Sequence, residues 1–323
     1  MYWKNKKVLV TGGAGFIGSK VVSKLIDLGA NVRVVDDLSK GEAFNLPKVI
    51  DKMEFIQGDL LNAKFAARCM EGIEICFHLA ARIGGIGYFH KYPATSLRDN
   101  ILINLNLWDA AKATKPKMVC LSSSMVFENT TIFPTPEWAI SCSPPPLTGY
   151  GFSKLADEYI AKTYYEEFSV PYVIARPFNA YGPGENYGDY VGYAHVIPDL
   201  VNKINSGQYP LEILGKGDQI RCYTYVDDIA NGIIFVAEYA ENDDYNIGSN
   251  VETSVINLAK LLWKICGRKE LVKFKTIFTL KYDVQRRVPS VAKVKHLGWE
   301  AKTPLEEGLR NTAEWLRNKN GCS

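Results

Sequence analysis

The feature that most constrains this chain is a run of closely spaced glycines between a short strand and a helix. Gly12, Gly15 and Gly18 follow a β-rich stretch at 6–11 and open a helical apolar period at 14–28. In such a setting the first glycine allows a tight turn, the second lets the backbone approach a pyrophosphate, and the third allows close packing of helix and strand. The helix N-terminus adds N–H donors and partial positive charge. The pattern predicts a dinucleotide-binding βαβ unit.

An acidic residue ends the next predicted strand, at 32–36. Asp36 follows Gly18 by 18 residues, and a carboxylate at this place suits the two ribose hydroxyls of NAD while repelling a 2′-phosphate. Lys40 is a nearby cation that keeps NADP as an alternative. We therefore expect NAD to be the cofactor.

Strands alternate with helices through the first half of the chain. Further strands are predicted at 53–57, 74–79, 117–122 and 171–176, and helices at 62–70, 95–114 and 152–168. This alternation is typical of right-handed βαβ crossovers in a parallel sheet that is covered on both faces. The predicted fold class is α/β, a doubly wound parallel sheet of the Rossmann type.

The pattern changes after about residue 177. Pro, Gly, Tyr and Asn crowd into 177–193, and the helices predicted after them lie at 195–205, 226–239, 253–265 and 304–317. We predict a Rossmann domain at 1–177 and a smaller, mostly helical substrate domain at 178–323, with the chain free to cross back between them.

Composition excludes several classes of protein. Lys plus Arg is 38 and Asp plus Glu is 35, a net charge of +3 without a basic stripe, so a nucleic-acid partner is not expected. No apolar stretch approaches the roughly 20 residues of a membrane span or forms a signal peptide, so we expect a cytoplasmic protein without a membrane partner. The seven Cys and four His show no metal-binding spacing, which predicts free thiols and no metal.

A tyrosine and a lysine stand where catalysis is expected. Tyr150 and Lys154 are four residues apart and share one face of a predicted helix. A phenol with a pKa of about 10 is a poor base, but a nearby ammonium and a bound nicotinamide cation both favour the phenolate. The serines at 122–124 follow a strand at 117–121, at the sheet edge where ligands bind in such folds.

These pieces together resemble the extended short-chain dehydrogenases/reductases of the NAD-dependent epimerase/dehydratase family. The resemblance covers nearly the whole chain. The matching segments are Thr11 to Gly18, Gly58 to Leu60, His78 to Ala81, Ser122 to Ser124, Tyr150 to Lys154, Arg176 to Asn179, Tyr181 to Gly184, Arg221, Tyr225 to Asp228, Asn246 to Gly248, and Leu297 to Trp299.

The resemblance implies three sets of site residues. The catalytic set is Ser123, Tyr150 and Lys154. The cofactor set is Gly12, Gly15, Phe16, Ile17, Gly18, Asp36, Ser39, Lys40, Asp59, Leu60, Leu79, Ala80, Ala81, Asn100, Tyr150, Lys154 and Pro177. The substrate set is Ser123, Ser124, Met125, Asn179, His195, Val196, Arg221 and Arg287. Guanidinium groups suit a diphosphate on chemical grounds as well, so Arg221 and Arg287 are expected to hold a nucleotide-sugar diphosphate.

Two positions bear on the type of reaction. Dehydratases of the family carry Asp and Glu where this chain has Ser124 and Met125, which argues against a dehydratase. The loop at 82–87 and the segment at 195–198 resemble GDP-fucose synthase, and the loop also resembles GDP-mannose 3,5-epimerase. Those enzymes use a Cys as a base where this chain has Met125, and a thioether carries no proton. His195 is then a candidate base for one face only.

The resemblance therefore implies an NAD-dependent nucleotide-diphosphate-sugar epimerase, acting at C4 through a transient 4-keto sugar. The alternatives are a GDP-sugar 3,5-epimerase and a GDP-4-keto-6-deoxy-sugar epimerase/reductase; a 4,6-dehydratase and a non-catalytic NAD-binding module are less favoured. The base and the sugar stay open. A homodimer is also implied, through a four-helix bundle built from the helices at 95–114 and 152–168.

Overall fold

The centre of the molecule is a seven-stranded parallel sheet. The computed structural model describes residues 2–40, 45–46, 52–84, 86–185, 194–277 and 284–319. The strands of this sheet are β1 Lys7–Thr11, β2 Asn31–Asp36, β3 Glu54–Gln57, β4 Ile75–His78, β5 Lys117–Leu121, β6 Tyr172–Pro177 and β11 Asp243–Ile247. They lie side by side in the order β11-β6-β5-β4-β1-β2-β3. The predicted doubly wound α/β fold is confirmed.

Helices cover both faces of this sheet. They are α1 Phe16–Asp27, α2 Ala63–Met70, α4 Pro93–Thr114, α5 Gly149–Phe168 and α7 Val226–Tyr239. On one face α1 and α7 pack together, and on the other α2, α4 and α5 pack side by side. The strands of the sheet supply apolar residues to both layers because successive side chains point to opposite faces. In β1, Val8 and Val10 belong to the α1 side of the core, and Leu9 belongs to the α4 side.

The second half of the chain contributes to the main sheet. Strand β11 pairs in parallel with β6, and α7 packs against α1. A buried ion network fixes this edge: the Arg176 guanidinium donates to both carboxylate oxygens of Glu158, at 2.7 and 2.6 Å, and also pairs with Asp244 of β11. The chain therefore crosses back into the Rossmann layer after residue 177.

A smaller layer lies around a third apolar cluster. Its helices are α6 Val196–Asn205, α8 Val255–Ile265 and α10 Leu305–Lys319, which supply most of that cluster. Two further helices pack on the Rossmann layer: α3 Ile86–Lys91 contacts α4, and α9 Ala292–Leu297 contacts β11. The short strands are β7 Ala180–Tyr181, β8 Leu211–Ile213, β9 Ile220–Cys222, β10 Thr224–Tyr225, β12 Glu252–Ser254, β13 Phe274–Thr276 and β14 Arg286–Arg287. Strands of two or three residues are too short to show an alternating pattern, so the sequence predicted α6, α8 and α10 but none of these strands.

The cysteines, the loop at 82–87 and the apolar content of the helices also bear on the sequence-based expectations. The six cysteines in the part of the chain described here are free thiols, as predicted, and Cys322 lies outside the described residues. Gly85, in the loop at 82–87, also lies outside them. Within the ranges given above, no helix combines the length and the apolar composition needed to cross a bilayer.

Candidate active site

A cleft of 730 Å³ opens at the carboxyl ends of the central strands, where the strand order reverses between β1 and β4. Ligands bind at this switch point in open parallel sheets, and the volume suits a small-molecule site. Residues of both the Rossmann layer and the smaller layer line the cleft. Of the predicted site residues, all but Asn100 line it.

The glycine turn has no room for side chains. Gly12 has a φ of +68°, and a Cβ there would lie 2.8 Å from the backbone of Ala80. A Cβ on Gly18 would lie 2.1 Å from the carbonyl oxygen of Gly12. Gly15 is the N-cap of α1 and no side chain caps that helix, so its first turn presents N–H groups to the cleft beside Phe16 and Ile17. This turn fits the pyrophosphate of a dinucleotide.

Asp36 is held in one orientation at the end of β2. One carboxylate oxygen accepts the N–H of Ala14 at 3.0 Å, and the other accepts the N–H of Leu38 at 2.9 Å. Burial raises the pKa of Asp36, and these two bonds oppose that shift. Each oxygen keeps a further lone pair for a ribose hydroxyl, as NAD requires.

Arg82 is a cleft residue for which the sequence predicted no role. Its guanidinium lies 3.0 Å from Asp37, donates to Ser39 at 2.7 Å, and has Asp59 and Asp99 each at 3.7 Å. No local pattern could have revealed this role, because its partners come from separate segments. A guanidinium already surrounded by carboxylates is a poor site for a 2′-phosphate, which favours NAD over NADP.

Lys40 lies in the cleft beside Tyr88. Its ammonium lies 5.1 Å from the centroid of the Tyr88 ring. Burial lowers the pKa of Lys40 to about 8, while the charge on Glu185 raises it. Lys40 therefore contributes positive charge to the cleft that Glu185 also lines.

Asn100, predicted to line the cofactor site, lies outside the lining of the cleft. Asn100 is buried behind the loop that follows β4, and its carboxamide oxygen accepts the N–H of Arg82 at 2.7 Å. Its amide nitrogen donates to the carbonyl of Arg82 and to Ser153, both at 3.3 Å. Asn100 therefore positions the loop whose residues Leu79 to Ala81 line the cleft.

Local structure brings the three predicted catalytic side chains together. Tyr150 lies in the first turn of α5, which Thr148 caps by accepting the N–H of Gly151 at 3.1 Å. Ser123 caps the 3₁₀ turn Ser124–Phe127 and hydrogen-bonds to the Tyr150 phenol. Lys154 lies one helical turn beyond Tyr150 and donates to the Leu121 carbonyl at 3.0 Å.

The protein environment alone does not activate the phenol. Burial raises the pKa of Tyr150, and the positive charge on Lys154 and the hydrogen bond from Ser123 only partly offset that shift. The positive charge of an oxidised nicotinamide ring would favour the phenolate further.

Two arginines lie side by side at the substrate end. Arg221 of β9 and Arg287 of β14 are partners in parallel register, and both side chains reach the cleft. The Arg287 guanidinium lies 2.8 Å from the sulfur of Met125. Asn179 is fixed nearby through its amide, which donates to the Cys222 carbonyl at 3.1 Å. The pair of guanidinium groups fits a diphosphate.

His195 immediately precedes α6, beside Val196, and is exposed to the cleft. Its Nδ1 hydrogen-bonds to Glu185, a buried carboxylate that the sequence analysis missed. Surrounding protein disfavours the charged imidazole, but Glu185 outweighs that effect and raises the pKa of His195. An acid ten residues before a histidine was the only sequence signal for this contact, and it is a weak one.

The chain is similar to known proteins in both sequence and structure. The chain is 30% identical over 317 residues to a putative UDP-glucose 4-epimerase of Methanocaldococcus jannaschii, covering 97% of this chain and 99% of the relative. It is 29% identical over 317 residues to UDP-glucuronic acid decarboxylase 1 of Xenopus tropicalis, covering 97% and 73%. The UDP-glucose 4-epimerase structure from Thermotoga maritima, solved with UDP-glucose, superposes with a TM-score of 0.88 at 34% identity, covering 97% and 99%.

The glycine turn, the fixed carboxylate of Asp36 and the group of Ser123, Tyr150 and Lys154 are typical of a dinucleotide-dependent enzyme of the extended short-chain dehydrogenase/reductase class. The profile of the NAD-dependent epimerase/dehydratase family matches residues 8–248. The chain belongs to that family, and NAD is its cofactor.

Proposed function

We propose that this protein is an NAD-dependent nucleotide-sugar epimerase that inverts C4 of the sugar. The observation that carries this proposal is the composition of the catalytic end of the cleft. Ser123, Tyr150 and Lys154 supply one proton-transfer group, and the adjacent Ser124 and Met125 supply no second acid and base. Inversion at C4 needs one such group and no elimination of water.

The reaction requires little from the protein beyond proton transfer and orientation. The Tyr150 phenolate takes the proton of the C4 hydroxyl, and Ser123 hydrogen-bonds to the same oxygen. The glycine turn and Asp36 would hold NAD⁺, and the chemistry it would supply is reversible hydride transfer at C4, out from one face and back to the other. Tyr150 then gives its proton back to the oxygen, so that no net oxidation occurs. Arg221 and Arg287 retain the diphosphate while the sugar turns over.

Product analysis tests the proposal. The purified full chain is incubated with NAD⁺ and, separately, with UDP-glucose, UDP-galactose, their uronic acids and GDP-mannose, and the products are identified by NMR. At least one pair should interconvert without accumulation of reduced nicotinamide absorbance. Absence of an epimer from every substrate would contradict the proposal.

Decarboxylation is the second candidate, and the place of Arg287 favours it. Its guanidinium beside Met125 puts a cation near Tyr150, where it suits the C6 carboxylate of a uronic acid. Oxidation of such a sugar at C4 gives a β-keto acid that loses CO₂ without further acid catalysis. Incubation with UDP-glucuronic acid separates the two reactions. Formation of a UDP-pentose and CO₂ would indicate decarboxylation, whereas formation of UDP-galacturonic acid would indicate epimerisation.

Epimerisation at C3 and C5 of a GDP-sugar differs from C4 inversion in its exchange with solvent. The His195–Glu185 pair provides one further proton-transfer group, but Met125 cannot provide its counterpart. Proton abstraction at C3 or C5 exchanges carbon-bound hydrogen with water, whereas hydride return to C4 does not. Turnover in D₂O should therefore leave the sugar carbons free of deuterium, and incorporation would favour the 3,5-epimerase.

Loss of either cleft arginine should weaken substrate binding selectively. Arg221→Gln and Arg287→Gln each remove a charge-assisted contact worth about 1.5–3 kcal/mol, so we expect the KM for the nucleotide sugar to rise roughly 10- to 100-fold. The dissociation constant of NAD should stay unchanged. Steady-state kinetics and cofactor titration measure the two effects. Arg310→Gln, at an exposed position of α10, is the control and should keep the wild-type KM. If the KM of Arg221→Gln and Arg287→Gln equals that of this control, the two arginines do not bind the substrate.

We also propose a homodimer formed through α4 and α5. These adjacent helices expose Leu102, Phe152 and Tyr159, with 41, 45 and 63% of their surface accessible. The double variant Phe152→Glu/Tyr159→Glu should convert a dimer into a monomer, because it places charges in an apolar interface. Light scattering after size-exclusion chromatography measures the mass. Leu271→Glu, at a residue that is 86% exposed elsewhere, should leave the dimer intact, and a monomeric wild type would contradict the proposal.

A further inference from the structure

A buried carboxylate lies against the catalytic lysine. Asp157 is one turn after Lys154 and two turns after Tyr150 on α5, so the three side chains share one helix face. The Lys154 ammonium lies 3.0 Å from a carboxylate oxygen of Asp157, and their side chains are only 5 and 6% exposed. Ion pairs this deeply buried are costly to form, and breaking one by removing a single partner leaves an uncompensated charge.

The contacts of Lys154 show how Asp157 constrains it. An ammonium has three N–H donors. One goes to Asp157 and one to the Leu121 carbonyl, each at 3.0 Å. These two hydrogen bonds fix the position of the ammonium at the wall of the cleft. The third N–H is left for the cleft, where Tyr150 lies and where the proposed function places the nicotinamide ribose.

The charge on Asp157 acts on both partners. Burial alone would lower the pKa of Lys154, but Asp157, together with Tyr150 and Cys120, outweighs burial and raises it. Asp157 also raises the pKa of Tyr150, in opposition to Lys154. Burial raises the pKa of the Asp157 carboxyl and the contact with Lys154 opposes that shift, so each charge depends on the other.

Among the described residues, the other titratable groups around this pair are neutral, already paired or positively charged. Burial raises the pKa of the Cys120 thiol on β5 and lowers that of His78 on β4 to about 3, so both are neutral near pH 7. Glu158 on α5 is bound by Arg176. Arg287 on β14 lowers the pKa of Tyr150, and Asn104 on α4 faces Asp157 without a charge. Asp157 is thus the acidic group that balances Lys154.

We propose that Asp157 is a positioning residue that anchors Lys154 and offsets part of its positive charge at Tyr150. The phenol then stays protonated until an oxidised nicotinamide supplies a second positive charge. Proton abstraction from the sugar is thereby tied to the presence of the oxidised cofactor. This inference rests on the proposed function of the Tyr150–Lys154 pair.

The pH profile of Asp157→Asn tests the charge. Removing the negative charge favours the phenolate, so the acid limb of kcat/KM for the C4 epimerisation should move to lower pH by about one unit. The basic limb should move the same way, because Lys154 loses its counter-ion. Glu166→Gln, the same charge change at an exposed position of α5, should leave both limbs in place. A rate that falls equally at every pH, with limbs unmoved, would reduce Asp157 to a structural role and overturn the proposal.

A second measurement needs neither substrate nor a stable Asp157 variant. The wild-type full chain is saturated with NADH, whose ring carries no charge, and titrated by ultraviolet absorbance beside Tyr150→Phe. The difference between them reports Tyr150, which should ionise above the ordinary value of about 10. Ionisation at or below that value would overturn the proposal even where Asp157→Asn fails to fold. Absence of epimerase activity, in contrast, refutes only the proposed function.

Discussion

Replacing Tyr150 with Phe should lower turnover of the nucleotide sugar by about 10³-fold while leaving NAD bound. The substitution removes the phenolic oxygen that exchanges a proton with the sugar, and general acid–base catalysis contributes about 10²–10⁴ in rate. Tyr150 is buried against Met125, and the phenylalanine ring retains that packing. Single-turnover kinetics measures the chemical step, and cofactor titration measures binding.

The matched control for this variant is Tyr239→Phe. Tyr239 is 59% exposed at the end of α7, outside the cleft, so loss of its hydroxyl should change neither turnover nor NAD affinity. Turnover by Tyr150→Phe within a few-fold of wild type would assign proton transfer to another residue. Loss of NAD together with activity would instead indicate that the substitution disrupts the cofactor site.

Gly18→Ala should abolish tight cofactor binding. The added Cβ would lie 2.1 Å from the Gly12 carbonyl oxygen, closer than nonbonded atoms approach, so the glycine turn must move. We expect the dissociation constant of NAD to rise at least about tenfold, since a displaced turn no longer presents α1 to the pyrophosphate. Overpacking of this kind also lowers the free energy of unfolding by about 1–3 kcal/mol. Calorimetric titration and chemical denaturation measure the two effects.

Gly72→Ala separates steric from conformational cost. Gly72 has a φ of +70°, but no atom lies within 4 Å of the position that its Cβ would occupy. The variant should lose about 1 kcal/mol of stability from backbone strain alone and bind NAD normally. Equal NAD affinity in Gly18→Ala and wild type would mean that the turn accommodates a methyl group, against the geometry described above.

The sequence predicted the Rossmann layer well where its strands are apolar and its helices periodic. The strand predicted at 117–122 is β5, which ends one residue earlier, and that predicted at 171–176 is β6, which is shifted by one residue. Strand β11 was not predicted, because its sequence begins with two aspartates. Asp244 is tolerated at this sheet edge because it pairs with Arg176, a contact between distant segments that no local pattern encodes.

The same distinction holds for the site. The glycine turn and the Tyr150–Lys154 spacing are local, so they could be found by inspection of the sequence. The roles of Arg82, Glu185 and Asp157 depend on tertiary contacts. An acid three residues after Lys154 is an ordinary helix spacing, and only the structure shows that both side chains are buried.

The place of β11 has a consequence for biosynthesis. A nascent chain that has been synthesised only as far as residue 177 would expose β6 as an edge strand, with its backbone hydrogen-bonding groups unsatisfied. It would also hold the Arg176 guanidinium without one of its two acidic partners. About seventy more residues must be translated before β11 is available to pair with β6. The nucleotide-binding layer is therefore completed late, and a truncated product ending at this point is expected to aggregate instead of persisting as a free-standing NAD-binding unit.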